Sequence, residues 1–95
     1  MSSWRFARTV IEEPEVTAEV QLLRQQFDRF DDAYNALNWS LARRADRLGE
    51  HSIHNGVEYR LYRQDRDQFA QTPALIVVYT YTLLSVTIIS IRAER

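Results

Sequence analysis

The chain contains no cysteine and no lysine, and it has only two glycines and two prolines among its 95 residues. The absence of cysteine excludes disulfide frameworks, thiolate nucleophiles and thiolate zinc sites. Because glycine and proline are scarce, little of the chain can serve as a linker, and a chain this short is expected to form a single domain over residues 1–95. The remaining composition, with 45% hydrophobic and 26% charged residues, is that of an ordinary folded domain.

Long hydrophobic runs are also absent. The longest aliphatic stretch, Ala74 to Val78, is far shorter than the ~18 residues that suggest a membrane span. The first ten residues, MSSWRFARTV, lack the apolar core of a secretory signal, so the sequence predicts a cytoplasmic protein without membrane association. All basic residues are arginines, and the formal net charge of -1 argues against a general polyanion binder.

The first half of the chain predicts a short strand and two helices. Trp4 to Val10 alternates imperfectly and predicts a strand, and Pro14 fits the first turn of a following helix. The first helix has an apolar stripe at helical spacing, formed by Val16, Val20, Leu23 and Phe27. The second has a longer one, formed by Phe30, Tyr34, Leu37, Leu41, Ala45 and Leu48. A helical hairpin is expected, although the join lacks glycine and proline and one bent helix is an alternative.

Gly49 is predicted to be a left-handed stop after the second helix, and the rest of the chain predicts strands. Alternation predicts a strand that begins at Val57, and a polar loop follows from Gln64 to Thr72. Ala74 to Tyr81 and Ser85 to Ile91 are rich in β-branched residues and are close enough to pair as a hairpin. The predicted order is β-α-α-β-β-β, an α+β domain with the helical hairpin on one face of an antiparallel meander.

The last two predicted strands are apolar on both faces. On the first of them, Ile76 and Val78 point away from the face that the helices would cover. A strongly twisted sheet, a second copy of the chain or a partner protein could shelter this second face. Leu83 and Leu84 lie at the predicted hairpin tip, where polar residues are usual, and are therefore predicted to contact a partner.

Several segments carry a resemblance to a known family. They are the helix exit Leu48-Gly49-Glu50 and the segments YRLYR (59–63), PALIVVY (73–79) and VTIISI with Arg92 (86–92). In these the chain resembles the RelE/ParE superfamily of type II toxin-antitoxin toxins, from about Phe30 to the C-terminus. The resemblance implies a RelE-like fold, in which a helical hairpin precedes a sheet of this order.

The resemblance also implies a bacterial toxin that a cognate antitoxin protein holds inactive. One branch of the superfamily enters the ribosome and cleaves mRNA without a metal, through a cluster of basic and proton-carrying side chains. The ParE branch acts on DNA gyrase by protein contact. This chain has no lysine, is nearly neutral, and has Ile76 where cleaving members commonly have arginine. Protein contact with an antitoxin, and with a gyrase-like target, is therefore the preferred interpretation.

The alternatives to protein contact are a ribosome-dependent endoribonuclease and a non-toxic interaction domain that shares the fold. In the endoribonuclease, Arg60, Arg63 and Arg92 would contact the scissile phosphate, and His51 or His54 would carry the proton.

Each of these residues also has a plainer interpretation. If Tyr59 and Leu61 face the core, Arg60 and Tyr62 share the opposite face, where they would contact RNA, a partner protein or only solvent. The two histidines lie in the predicted helix-to-strand loop, where no third metal ligand is in view. No metal or cofactor is expected, Tyr62 is a further partner-binding candidate, and a homo-oligomer is possible.

Overall fold

The computed structural model describes residues 7–95, in which two helices pack on one face of a five-stranded mixed sheet. Trp4 and Phe6 of the predicted first strand lie outside the described residues. The elements in chain order are β1 (Thr9–Glu12), α1 (Pro14–Gln26), α2 (Phe30–Arg44), β2 (Glu50–His54), β3 (Val57–Gln64), β4 (Ala74–Tyr81) and β5 (Ser85–Glu94). The α+β class, with both helices before the meander, is as predicted.

The sheet has the strand order β1-β5-β4-β3-β2. Four strands form an antiparallel meander from β2 to β5, and β1 adds to its far edge in parallel with β5, with Val10 opposite Val86. The predicted first strand thus joins the edge of the meander and not its middle.

Helix α1 begins where the sequence predicts. Pro14 occupies the first turn, in which its missing N–H needs no partner, and Glu15 places a carboxylate at the positive end of the helix dipole. Val16, Val20 and Leu23 are buried, as their spacing predicts.

Two separate helices form, as predicted, and not one bent helix. The helical path ends at Phe27, which is extended, and Arg29, the residue before α2, has a φ of 67°. A left-handed arginine carries a conformational cost, and its guanidinium lies 2.8 Å from the carboxylate of Asp32. Helix α2 buries the predicted stripe from Phe30 to Leu41, and Ala45 beyond its end is buried as well.

The hydrophobic core lies between the helices and one face of the sheet, called here the helix-facing side. On β4, Leu75, Val77 and Tyr79 are completely buried against the helical stripes, and on β5 Val86 and Ile88 are also completely buried. The predicted alternation of β4 is confirmed, since Ile76 and Val78 point to the opposite side and are only partly buried. We call that opposite side of the sheet the open face.

One strand was missed by the sequence prediction, and the predicted four-stranded arrangement is wrong in this respect. The sequence predicts a helix-to-strand loop over residues 50–54, but these residues form β2 and pair antiparallel with β3. Asn55 and Gly56, with φ of 53° and 78°, make the two-residue turn between the strands. An Asn-Gly pair is a strong hairpin signal because both central residues of a type I′ turn need positive φ.

The two glycines differ in their surroundings, and this difference gives a test of the fold. Gly49 has a φ of 69°, as expected for a left-handed stop, and a Cβ added there would lie 2.0 Å from the carbonyl oxygen of Leu61. Gly56 also has positive φ, but a Cβ there would meet nothing within 4 Å.

We therefore expect Gly49→Ala to destabilise the protein much more than Gly56→Ala. The positive φ alone should cost about 1–2 kcal/mol in either variant. The backbone clash at Gly49 should add about 2 kcal/mol, because the α2–β2 connection or β3 must shift. Urea unfolding followed by circular dichroism measures both losses, and equal losses would contradict the close approach of Gly49 to β3.

Candidate functional site

The side of β3 that faces the core differs from the sequence prediction. Tyr59 and Leu61 were expected to face the core, but Leu61 is 47% exposed and lies on the open face. Arg60 and Tyr62 lie on the helix-facing side, where Tyr62 packs against the core. The prediction that Arg60 and Tyr62 lie on the side of β3 away from the core is therefore wrong. Tyr62 does not belong to the open face.

Hydrogen-bond donors explain this orientation. Arg60 Nε donates to the carbonyl oxygen of Leu48 at 2.8 Å, and a second guanidinium nitrogen lies 3.5 Å from the carbonyl oxygen of Gly49. Farther along β3, Gln64 Nε2 donates to the carbonyl oxygen of Ala33 in α2 at 2.9 Å. Leu48 lies just beyond the C-terminal end of α2, where backbone carbonyls lack intrahelical partners, and Arg60 supplies a donor there. Gln64 adds a second tie between β3 and the first turn of α2. The alternation of apolar residues along β3 does not reveal these hydrogen bonds, so it could not predict which side of the strand faces the core.

The other two predicted arginines lie on the open face. Arg63 donates to Glu94 at 2.8 Å and contacts Asp65 at 3.3 Å. The hydrogen bond with Glu94 raises the pKa of Arg63, and the same bond lowers the pKa of Glu94. Arg92 lies on the same face, separated from Arg63 by Ile76 of β4. A phosphate at this position would have to compete with two carboxylates for Arg63.

The histidines lie on β2 and point to opposite sides of the sheet. His54 is on the open face, and His51 is on the helix-facing side, where its Nε2 lies 3.9 Å from Glu58 Oε2. Both are exposed. Residues 7–95 contain no group of three or more histidine and acidic side chains placed to hold a metal ion.

The five predicted catalytic residues therefore do not converge. Arg60 and His51 lie on the helix-facing side, whereas Arg63, Arg92 and His54 lie on the open face. A phosphoryl-transfer site needs its phosphate-binding and proton-transferring groups around one phosphate. A nuclease built on this set would have to work with fewer residues than the sequence proposed.

A continuous apolar surface occupies the centre of the open face. Leu61 of β3 is opposite Val78 of β4, and Ile76 lies in the neighbouring row. Towards the hairpin tip the surface continues through Thr80 and Thr87 to Ile11, which is 46% exposed. Within the part of the chain that the structure describes, no element packs on these residues.

Charged and polar side chains surround this apolar centre. Arg63, Glu94 and Arg92 lie at one end of the rows, and Glu50 lies at the β2 edge. An apolar centre within a polar rim is the usual composition of a protein-protein interface. Leu61 was missed as a member of this surface because the sequence prediction assigned it to the core.

Leu83 and Leu84 lie at the tip of the β4–β5 hairpin, as the sequence predicts. They are 82% and 77% exposed. Thr82 holds the tip, since its side-chain oxygen accepts bonds from the backbone N–H groups of Leu84 and Ser85. The turn is thus ordered by its threonine, while its two leucines remain available for contact with another molecule.

A cleft of about 520 Å³ lies away from these surfaces, between the end of α1 and the loop before β4. Its lining includes Arg66 and Arg95 but also Asp28 and Asp67, so the charges of both signs are balanced. The Arg95 guanidinium lies over the ring of Phe27 at 5.3 Å. This mixed lining does not select a ligand of one charge.

Comparison with known proteins identifies no relative, since no protein-family model, curated protein or solved structure matches this chain. None of the helices in residues 7–95 combines the length and the apolar character that crossing a bilayer requires.

The hydroxyl of Tyr79 helps to fix the chain that connects α2 to β2. It donates to the carbonyl oxygen of Ala45 at 2.7 Å and approaches that of Leu48 at 3.2 Å. Burial raises the pKa of Tyr79 to about 12, against the lowering effect of nearby Arg60. Burial, followed by the hydrogen bond to Glu12, also raises the pKa of Tyr34.

We expect the free energy of unfolding to fall as the pH rises from about 10 to about 12. Tyrosines of the unfolded chain lose their protons near pH 10, whereas folded Tyr79 keeps its proton, so the unfolded state gains stability above that pH. The chain has no lysine to obscure this effect. Tyr79→Phe should cost about 1 kcal/mol at pH 7 through its lost hydrogen bonds and should decline less steeply above pH 10. Urea unfolding at several pH values tests this, and identical slopes for the variant and the wild type would refute it.

Proposed function

We propose that this protein acts by protein contact, as the toxin of a type II toxin-antitoxin pair, and that its antitoxin binds the open face. The observation that carries the proposal is the uncovered aliphatic centre formed by Leu61, Ile76 and Val78. Removing such side chains from water upon binding contributes about 25 cal/mol per Å² of apolar surface. The order of two helices followed by an antiparallel meander is the order that the RelE/ParE resemblance implies, and it supports a RelE-like assignment.

The open face has the right size for one segment of a partner. Five strands spaced about 4.8 Å apart are about 19 Å across, and the eight residues of β4 span about 27 Å. The face therefore offers about 500 Å², which suits a single amphipathic helix about 10 Å wide and 20–25 Å long. This is a small interface, and a partner that also contacted Leu83 and Leu84 would enlarge it.

The charges of the rim define the chemistry of the partner. Arg92 flanks Ile76 at one end of the face, and Arg63 is already engaged by Glu94. A partner segment with an apolar stripe and a carboxylate near Arg92 would complement this surface. Since the protein is nearly neutral, affinity should come mainly from apolar burial and depend only weakly on salt.

A target of the gyrase type fits the same mode of action, because it too would be reached through protein contact. The endoribonuclease alternative is not supported by the positions of its residues. Arg60 and His51 lie on one side of the sheet, and Arg63 and Arg92 lie on the other. A non-toxic interaction domain would use the same open face, and only a biological assay separates it from a toxin.

Induced expression in a bacterial host is expected to arrest growth. Co-expression of the small gene beside it should restore growth and give a co-purifying complex. Primer extension on translated messages should show no new stops, since stops would instead identify a ribonuclease. Unaffected growth with abundant folded protein would contradict the toxin role and leave the non-toxic interaction domain.

The binding surface is tested by Leu61→Glu, with Leu22→Glu as a matched control. The two leucines are 47% and 52% exposed, but Leu22 lies on α1 and Leu61 lies at the centre of the open face. Leu61→Glu should weaken the complex at least about 30-fold, because a charge at an apolar interface is costly, and Leu22→Glu should leave it unchanged. Isothermal titration calorimetry measures both affinities, with circular dichroism to show that each variant is folded. Equal affinities for the two variants would place the antitoxin elsewhere.

A further inference from the structure

The strand β2 is an unprotected edge of the sheet. It lies at one end of the strand order, and all five of its residues are exposed. Edge strands are commonly protected by proline, charged side chains (lysine above all), a bulge or a covering element. The segment EHSIH contains no proline or lysine, and its one carboxylate, Glu50, lies at its first position. The irregularity in the meander pairing lies at Val78/Tyr79, away from β2.

The backbone geometry determines which groups of β2 point outward. In a two-residue hairpin the residues that flank the turn, here His54 and Val57, form a hydrogen-bonded pair. Hydrogen-bonded and non-hydrogen-bonded pairs alternate along an antiparallel ladder, so Ser52 and Glu50 also direct their N–H and C=O groups to β3. The N–H and C=O groups of His51 and Ile53 therefore point away from the sheet.

These outward groups are suited to pairing with a second copy of the same strand. A two-fold axis at Ser52 places His51 of one copy opposite Ile53 of the other. Both residues have outward N–H and C=O groups, so the two equivalent pairs would make four hydrogen bonds between the copies. All five residues of β2 take part in this register, whereas a shift by two residues leaves part of the strand unpaired.

The side chains are complementary in the same register. Glu50 of one copy lies opposite His54 of the other, and both point to the open face. An imidazole N–H can donate to a carboxylate in either protonation state of the histidine. No acidic side chain lies opposite another acidic side chain, an arrangement that would oppose pairing.

We propose that two copies of this protein pair antiparallel through β2, with the two-fold axis at Ser52, to form a continuous ten-stranded sheet. This inference is independent of the proposed function, because it uses the edge of the sheet and leaves the open face unoccupied. It gives a symmetric dimer whose two open faces lie on the same side of one sheet.

The absence of cysteine from the chain allows a direct test of the register. Ser52→Cys places two thiols opposite each other across the axis at a non-hydrogen-bonded pair, whose Cα atoms are about 4.5 Å apart and within disulfide range. Mild oxidation should convert most of this variant to a covalent dimer. Ile53→Cys is the control, since that residue lies opposite His51 of the second copy and should crosslink at least tenfold more slowly. Equal crosslinking of the two variants, or none, would overturn the register.

The edge itself is tested by sedimentation of the wild type and two variants. Ile53→Pro removes an outward N–H without removing a β2–β3 hydrogen bond, and Ser52→Lys places two like charges across the axis. The wild type should show a concentration-dependent dimer, and each variant should raise its dissociation constant at least tenfold. Ser90→Lys, an exposed serine on β5, should not change the constant. A wild type that stays monomeric up to millimolar concentration, or a dimer that only Ser90→Lys disrupts, would refute the proposal.

Discussion

The packing of the two helices on one side of the sheet, α1 mainly over β5 and α2 over β4 and β1, is the interaction on which the rest of the structure depends. Leu75, Val77 and Tyr79 are removed completely from water by this contact, and burial of side chains of this size is the main favourable contribution to folding. Both helices lie on the same side of the sheet. The alternate residues of the same strand, Ile76 and Val78, are equally apolar and receive no helix in the described chain. The open face is therefore a direct result of how the core is built.

The elements with long and regular patterns could be predicted from the sequence. The bounds of β4 were predicted without error, because a continuous β-branched segment after a proline permits few alternatives. The helical stripes and the two-helix arrangement were also predicted, since Val16, Val20 and Leu23 repeat at helical spacing. In each case the spacing of the apolar residues along the sequence matches the spacing of the side chains that the element buries.

Two features could not be obtained from apolar periodicity. The orientation of β3 depends on hydrogen bonds that Arg60 and Gln64 donate to backbone carbonyls of Leu48 and Ala33, from the side expected to be polar and exposed. The strand β2 has little apolar character, and only the Asn55-Gly56 turn indicates it. The predicted set of catalytic residues depended on both features, because it placed the side chains of β2 and β3 without knowing which side of the sheet each one faces. Arg60 and Arg63 are three residues apart on one strand, so the pleat of the sheet places them on opposite sides.

The parallel pairing of β1 with β5 connects the earliest and the latest elements of the described chain. During synthesis, β1 and both helices leave the ribosome before β5 exists, so β1 has no strand to pair with and the helical stripes have only part of a sheet to cover. Contacts between segments so distant along the chain form slowly. The newly made protein must therefore pass through a stage in which its apolar surfaces are open to other molecules. A molecular chaperone would bind the protein most readily at that stage.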